Sequence, residues 1–579
     1  MVIVLGRIEE LYQLWCQKVT EAELLDELKS IDHNTEEIKD RFWQDLTFGT
    51  GGLRGILGAG TNRMNIYTVG RATQGLADYL NEAFTAPSVV IGYDSRLNSD
   101  LFARSAAEVL AGNGIKVYLF PELIPTPIVA YAVRKLNCSS GIVITASHNP
   151  SKYNGYKCYD ARGYQMTDAA AKTTLDYINK CDIFEDVKRF DFDAAVKSSI
   201  IQILSEDFLD PYFDAVASCM IHPEIAKDSD LSVIYTPLNG TGNKPVRRIL
   251  KQVGFSHVSV VPSQELPDGH FPTCPFPNPE VKEAFNEAFL LAEKQTEKAD
   301  LLLATDPDCD RVGIAVLKDG KYTLVTGNDV GCMLTDYILS QKSAQHALPD
   351  KPVIIKSIVS TDMATAIANS YGAVTENVLT GFKYIGEMMT RFEDDGEADR
   401  FLLGFEESYG YLSGMHTRDK DAVNASMLIC EMAAYYKKQG KTLLDVLDEL
   451  HARFGFWQNS LFNFYFEGAD GMQKMSEMMD TLRKSYPAEL GDKQISVVID
   501  YKTRIQYDLI SGTKTEVTLP VSNVIVLQSD TGDKIIVRPA GTEPKIKIYT
   551  MVQGENEASA CDQTQKYKSD MMTLLGIKE

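Results

Sequence analysis

The chain has 579 residues, 44% of them hydrophobic and 24% charged, with a net charge of −22 and a sequence pI near 4.9. That length predicts several domains. The acidity argues against a surface built for DNA, RNA or anionic lipid, while still allowing a small anionic substrate held by a local basic cluster.

From the N-terminus, MVIVLGRIEE has too short an apolar start for a signal peptide, and no run approaches the roughly 18 apolar residues needed to span a bilayer. The ten cysteines contain no CxxC pair, so reduced thiols in a soluble, cytoplasmic protein are the expectation. Residues 7–45 carry helical periodicity with dense charge and read as a helical arm leading into 48-FGTGGLRG-55. Beyond it one pattern recurs three times: apolar strand, polar turn, helix, glycine, second strand. The copies begin at 88-SVVIGYDSR, 231-LSVIYTPLNG and 352-PVIIKSIVST, and their glycines are Gly114, Gly254 and Gly372. Each is followed by another helical region and an apolar strand that ends in a distinctive loop: GIVITASHNP, ADLLLATDPDCDR and FLLGFEESYGY. Strand–helix alternation predicts mostly parallel sheets, and the imperfect repeat predicts three similar α/β domains. The remainder, from about residue 454, breaks the pattern with aromatic strands, a Met-rich helix around 472–484, and strands 534-KIIV and 546-IKIYT flanking a loop. It reads as an α+β domain.

The loops carry the chemistry. In 140-SGIVITASHNP-150, Pro150 forbids continuing the strand, so Ser147 lies in the loop that follows it. It either caps the turn beginning at Asn149-Pro150 or carries a transferable group. His148, adjacent in sequence, is expected to point away from it, which argues against a simple Ser–His dyad. Lys157 and Arg162 follow, able to neutralise a phosphoryl group. In 305-TDPDCDR-311 the alternating Asp306, Asp308 and Asp310 can converge on one side of an extended loop. Three clustered carboxylates call for a hard divalent cation, unless the loop is simply a solvated acidic turn. Arg311 and Leu317 stand where an EF-hand needs Gly and Glu, so Mg²⁺ with an outside oxygen ligand such as a phosphoryl group fits better than Ca²⁺. In 538-RPAGTEPKIK-547, Arg538, Gly541, Thr542 and Lys545 suit a non-reacting phosphate. The sequence contains neither a Walker A motif nor a GxGxxG, since 49-GTGGLRG-55 has Arg54 at the last glycine position. Glu406 and Ser408, in 404-GFEESYGY-411, can bond sugar hydroxyls, or lie on a polar surface turn. Lys383, just past the third repeat, is either solvated or a general acid or base in a cleft.

TASHNP, DPDCDR, GFEESYGY and RPAGTEPKIK, in that order and spacing over nearly the whole chain, resemble the α-D-phosphohexomutase superfamily. The length, the N-terminal arm and the Ser-Tyr after the two glutamates resemble its long phosphoglucomutase branch, which includes phosphopentomutase-like members. The resemblance implies an α/β fold: three similar α/β domains with mixed, mostly parallel sheets and a fourth, smaller α+β domain around a central cleft. The domains expected are 1–207 with the arm and serine loop, 208–323 with the metal loop, 324–453 with the sugar loop, and 454–579 with the phosphate loop.

It also implies roles. Ser147 would be the phosphoserine and, through its phosphoryl oxygen, a Mg²⁺ ligand with Asp306, Asp308 and Asp310. Lys383 would be the general acid/base, and Arg54, His148 and Lys157 would surround the transferring phosphoryl. Glu406, Ser408, Arg538, Gly541, Thr542 and Arg311 would contact the substrate. The implied reaction interconverts glucose 1-phosphate and glucose 6-phosphate, with glucose 1,6-bisphosphate as intermediate and activator. The partners expected are a small phosphosugar, no nucleic acid and no membrane, with a monomer or a dimer both open. Phosphopentomutase, phosphomannomutase and glucose 1,6-bisphosphate synthase share the mechanism. A non-catalytic binding or scaffold protein would be expected to lose the nucleophile or the metal ligands, and Ser147, the three aspartates and Lys383 are all present.

One position departs from the family pattern. The phosphate loop usually reads R-x-S-G-T, and here the serine is Ala540. A hydrogen bond to a charged group contributes about 1.5–3 kcal/mol, so Ala540→Ser is expected to lower the Michaelis constant for the phosphosugar with turnover retained. An unchanged Michaelis constant would show that the missing hydroxyl is immaterial.

Overall fold

The computed structural model describes residues 2–49, 51–466, 471–540 and 545–577. Gly541 and Thr542 of the expected phosphate loop lie outside the described residues. Two compact units form, one of residues 1–326, 385–404 and 408–442 and the other of residues 327–384, 405–407 and 443–579.

The first unit begins with the arm as three helices, Val2–Lys18, Ala22–Ser30 and Thr35–Phe42. The Asn34 side chain accepts from Glu37 N at 3.3 Å, satisfying one of the free donors at the start of the third helix. Their apolar stripes converge on Trp15, fully buried and edge-on to Phe42 at 5.8 Å, so the arm has a core of its own around Tyr12, Leu28 and Ile38.

The first repeat then builds a six-stranded mixed sheet. In spatial order its strands are Gly52–Ile56, Tyr153–Asp160, Ser140–Ile144, Ser88–Tyr93, Lys116–Leu119 and Ile201–Ile203. The central pairings, Ser88–Tyr93 with both Lys116–Leu119 and Ser140–Ile144, are parallel. Helix Ser99–Gly112 joins the first two of these strands, and Gly114 takes the left-handed conformation that turns the chain back. Burial on both faces explains why Ser140–Ile144 reads as an unbroken apolar run. The second repeat forms a five-stranded sheet in the order Lys321–Val325, Val312–Lys318, Leu301–Thr305, Val233–Thr236, Val258–Val260. Its repeat strands pair in parallel, whereas Val312–Lys318 returns antiparallel to Leu301–Thr305, so loop 306–311 closes a hairpin at the end of a buried strand.

In the second unit, the third repeat pairs Val353–Ser357 in parallel with Val374–Val378 across helix Met363–Ser370. The last part is an antiparallel sheet whose strands run in the order Phe456–Tyr465, Lys545–Gly554, Lys534–Pro539, Ile525–Ser529, Lys493–Asp500, Ile505–Asp508, Lys514–Glu516. Helices Gly471–Lys484 and Glu557–Leu575 cover it, with Met475, Met479, Tyr567 and Met571 in the shared core. All ten cysteines are free. Among the described residues no helix is long and apolar enough to cross a membrane.

A buried polar knot closes the first unit. Asp421 caps helix Ala422–Lys437, accepting from Val423 N at 2.9 Å and Asn424 N at 3.1 Å. It also accepts from the Tyr212 hydroxyl at 2.9 Å and faces His416 Nε2 at 2.9 Å. Burial alone would lower the His416 pKa, but the bond to Asp421 and the neighbouring Cys219 outweigh it and bring it up to about 9 from 6.5. The folded-state value is the raised one, so this stabilisation is complete below the ordinary value and disappears as pH rises through the folded one. It corresponds to about 3 kcal/mol. Urea unfolding at pH 6 and pH 9.5 is expected to show His416→Gln less stable than the parent at the lower pH and nearly equal to it at the higher. A parallel loss at both would show that His416 does not ionise as described.

Candidate active site

The first unit brings the serine loop and the acidic loop together. Three residues after strand Ser140–Ile144 ends, Ser147 adopts the left-handed conformation (φ 51°). That conformation costs a non-glycine residue roughly 1–2 kcal/mol, and the surroundings enforce it. Ser147 N donates to Thr145 Oγ1 at 2.8 Å, and Thr145 Oγ1 donates to Asp94 Oδ2 at 2.6 Å. Behind the loop, the fully buried Arg96 guanidinium donates to four carbonyls: Ser147 O at 2.6 Å, Pro150 O and Tyr153 O at 3.0 Å each, and Asn149 O. Asp94 Oδ1 in turn accepts from Arg96 N and Ser99 Oγ, both at 2.9 Å. Asp94 and Arg96 belong to 93-YDSR-96, a stretch that in sequence marks only the end of a strand.

Asp306, Asp308 and Asp310 are buried, and each turns a carboxylate oxygen to within 4.8 Å of the others. Asp306 Oδ1 accepts from the Asp310 and Arg311 amides at 3.1 and 3.0 Å, and Asp306 Oδ2 accepts from Ser147 Oγ at 2.8 Å. The Ser147 hydroxyl therefore faces the acidic loop and does not cap the following turn. Asp308 Oδ2 accepts from Thr126 Oγ1 at 2.9 Å and Lys157 Nζ at 2.7 Å. Asp310 Oδ2 lies 3.2 Å from Lys157 Nζ and 2.8 Å from Lys420 Nζ. Cys309, between two of the aspartates, is also left-handed (φ 52°). Burial first, then the charges of Asp308 and Asp310, push the Asp306 carboxyl well up. Burial acts the same way on Asp308, but Lys157 and Lys420 overcome it and hold that carboxyl below the usual range.

These residues fit a divalent cation on their own chemistry. Three hard oxygen donors converge, and Asp308 Oδ1 and Asp310 Oδ1 are buried without a hydrogen-bond partner, an arrangement costly for carboxylates unless a cation joins them.

His148 differs from expectation. It does not point away from the serine, because the left-handed turn at Ser147 brings Nδ1 to 3.2 Å from Ser147 Oγ. Burial, then Arg311 and Arg54, lower its pKa well below the ordinary value, so the ring is neutral and acts as a hydrogen-bonding partner. Arg54, on strand Gly52–Ile56, reaches Asn149 Oδ1 at 3.4 Å. Arg311 Nη1 pairs with Glu280 at 2.5 Å. Ser408 lies in the first unit, partly exposed.

In the second unit, the buried Glu406 accepts from Gly381 N at 2.7 Å, two residues before Lys383, whose ammonium lies 5.0 Å from the Tyr384 ring centroid. Arg538, next to last in strand Lys534–Pro539, pairs opposite Lys547, beside Tyr549. Burial and then Glu407 raise the Tyr549 phenol, and Arg538 opposes them. Sequence reasoning missed Asp94, Arg96, Thr126 and Lys420. The only available signal was their place in the repeat, a charged or hydroxyl residue just past a strand or before a helix.

Three models of one family match the chain, described as phosphoglucomutase/phosphomannomutase alpha/beta/alpha domains I, II and III, over residues 45–182, 210–320 and 326–454. A phosphoglucomutase of Staphylococcus aureus strain bovine RF122 / ET3-1 is 38% identical over 523 residues, 90% of this chain and 92% of that protein. One from strain USA300 is 36% identical over 547 residues, 94% of this chain and 96% of that protein. Among solved structures, the open form of Paramecium pp63/parafusin shares the fold, with a TM-score of 0.67 at 17% identity over 92% of this chain and 96% of that one. Aspergillus fumigatus N-acetylphosphoglucosamine mutase, in complex with GlcNAc-6P and magnesium, aligns with a TM-score of 0.51 at 14% identity over 92% of this chain and 96% of that one. The chain belongs to the α-D-phosphohexomutase superfamily, enzymes of the isomerase class that move a phosphoryl group within a sugar. Within it the chain falls on the phosphoglucomutase branch.

Arg96 generates the prediction here. Removing one partner of a buried charge pair costs about 3–5 kcal/mol, so Arg96→Leu is expected to lower unfolding free energy by that amount and to speed hydrogen exchange across 147–153. Adding Asp94→Asn should recover part of the stability while the exchange stays fast. Unchanged exchange in Arg96→Leu would show that the guanidinium does not brace the serine loop.

Proposed function

We propose that this enzyme interconverts glucose 1-phosphate and glucose 6-phosphate through a phosphorylated Ser147. The observation that carries the reading is the contact of Ser147 Oγ with Asp306 Oδ2 at 2.8 Å, at the edge of a buried three-aspartate cluster flanked by Lys157 and Lys420. Asp306, Asp308, Asp310 and a phosphoryl oxygen on Ser147 would hold Mg²⁺. When bound, the ion would neutralise charge on the phosphoryl oxygens and polarise the phosphorus.

The residues divide the remaining work. In the forward half-reaction the bond between phosphorus and Ser147 Oγ breaks as a bond to the sugar 6-oxygen forms, giving glucose 1,6-bisphosphate. The 6-hydroxyl proton passes to a base, the role assigned to Lys383 by its motif. The bisphosphate then turns in the site and returns its 1-phosphoryl group to Ser147, releasing glucose 6-phosphate. Lys157 and Arg54 supply positive charge near the transferring group, and neutral His148 orients Ser147 Oγ. Glu406 and Ser408 are assigned to sugar hydroxyls, and Arg538, Gly541, Thr542 and Arg311 to substrate contacts. The domain limits proposed are 1–207, 208–323, 324–453 and 454–579. Ten free cysteines support a reducing, cytoplasmic setting, and the net charge of −22 supports a small-molecule substrate over nucleic acid or membrane.

Initial rates with Mg²⁺ and a trace of glucose 1,6-bisphosphate, compared among glucose 1-phosphate, mannose 1-phosphate and ribose 1-phosphate, test the reading. Preference for glucose 1-phosphate is expected, with activity abolished by EDTA and lowered by on the order of 10⁴-fold or more in Ser147→Ala. Preference for ribose 1-phosphate would replace the substrate and keep the mechanism. Full activity in Ser147→Ala would end the phosphoserine assignment.

A further inference from the structure

Away from the reacting residues, the first unit contains a cavity of about 910 Å³, within the usual size of small-molecule sites. The segment 120–124 after strand Lys116–Leu119 forms one wall. The start of helix Asn243–Val253 and residues 205–213 form the others. Phe120, Leu123, Phe213 and Leu266 give it an apolar lining. Thr241 also lines it, with its Oγ1 buried and without a hydrogen-bond partner. A buried unsatisfied hydroxyl is costly.

Charge narrows the ligand class. The two basic residues of the lining are already paired: Lys244 with Glu122, and Arg248 with Asp210 at 2.5 Å. Glu206 and Asp207 on the rim have no ion pair among the described residues, which leaves the cavity anionic. A phosphosugar or nucleotide would be repelled, whereas a flat apolar body bearing a protonated amine matches both walls and rim.

The cavity wall also forms the back of the acidic loop. Thr241 N donates to Pro307 O at 2.8 Å, and a Cβ on Gly240 would come within 2.4 Å of Pro307 Cα, so glycine alone permits this approach. The 120–124 segment runs directly into Thr126, whose amide donates to Asp308 O and whose hydroxyl donates to Asp308 Oδ2, both at 2.9 Å.

We propose that this cavity is a binding site for a small aromatic amine, and that its occupation is felt at the 306–311 loop through Thr126 and Thr241. The inference does not depend on the identity of the sugar substrate.

The probes are tryptamine and indole-3-acetate, which share an indole and carry opposite charge. Saturation-transfer NMR on the full chain is expected to show tryptamine binding at least about tenfold more tightly than indole-3-acetate. That difference should vanish in the rim variant Glu206→Lys/Asp207→Lys, both exposed positions, whose fold is checked by its circular dichroism and unfolding midpoint. Tryptamine should also slow hydrogen exchange of peptides covering 305–311 at least twofold in the parent chain, and not in the rim variant. Binding of neither probe, equal binding of both, or tryptamine binding that survives the charge reversal would overturn the site and its ligand class. Binding with unchanged exchange at 305–311 would overturn the coupling. None of these readouts requires turnover, so they stand or fall independently of the mutase assay.

Discussion

Three carboxylates held within 4.8 Å of one another, with almost no exposure, are the constraint around which the first unit is arranged. Buried like charges are tolerated only when other groups compensate them, and here the compensation comes from separate parts of the chain. Lys157 arrives on strand Tyr153–Asp160, fixed by its antiparallel pairing with Val143 of the strand that leads to Ser147. Lys420 arrives from the turn just before the helix capped by Asp421. Thr126 begins helix Thr126–Lys135 and contributes both amide and hydroxyl. Each tie binds the hairpin loop of the second repeat to elements of the first repeat or of the helix that follows the third. Within the first unit the acidic loop is thus where the first two repeats and the segment before helix Ala422–Lys437 are joined, and the serine lies at that junction.

The three distinctive loops share a backbone device as well as a position. Each follows a buried strand, and within four residues of the strand end each holds a non-glycine residue in the left-handed region: Ser147 (φ 51°), Cys309 (φ 52°) and Tyr409 (φ 66°). Such residues persist only where the surroundings over-determine them, and they concentrate at functional sites. At Ser147 the enforcing groups are Thr145, Asp94 and the four-carbonyl grip of Arg96. At Cys309 they are the Asp306 carboxylate, which takes two successive amides, and the backbone bond from Cys309 N to Asp306 O at 2.9 Å. The repeat supplies the same reversal three times, and the side chains placed on it differ.

That division explains what could be read from the sequence. The strands were legible because runs such as Leu301–Thr305 are buried on both faces, and so are apolar without interruption. The turns were legible because Gly114, Gly254 and Gly372 all take positive φ where each repeat reverses. The aspartates, Ser147 and Lys157 stood out as chemistry on loops or beside them. Asp94, Arg96 and Lys420 did not, because what they do depends on partners roughly 50 to 110 residues away that no local periodicity encodes. His148 was misjudged for a related reason. Neighbouring side chains diverge in an extended chain, but a left-handed residue between them turns the second back toward the first.

Local charge then separates this site from the strongly acidic molecule around it. Two lysines against three carboxylates leave one negative charge, and burial beside Asp308 and Asp310 pushes the Asp306 carboxyl up. A phosphoryl group on Ser147 would add about −1.5 to −2 beside that same carboxyl, since Ser147 Oγ lies 2.8 Å from Asp306 Oδ2, and the lysines have no further charge to offer. A cation at the three aspartates would offset that charge, with Arg54 and Arg311 flanking. A neutral His148 fits this arrangement better than a charged one. Beside Arg54 and Arg311 it adds no further positive charge, and its Nδ1 stays 3.2 Å from the serine oxygen.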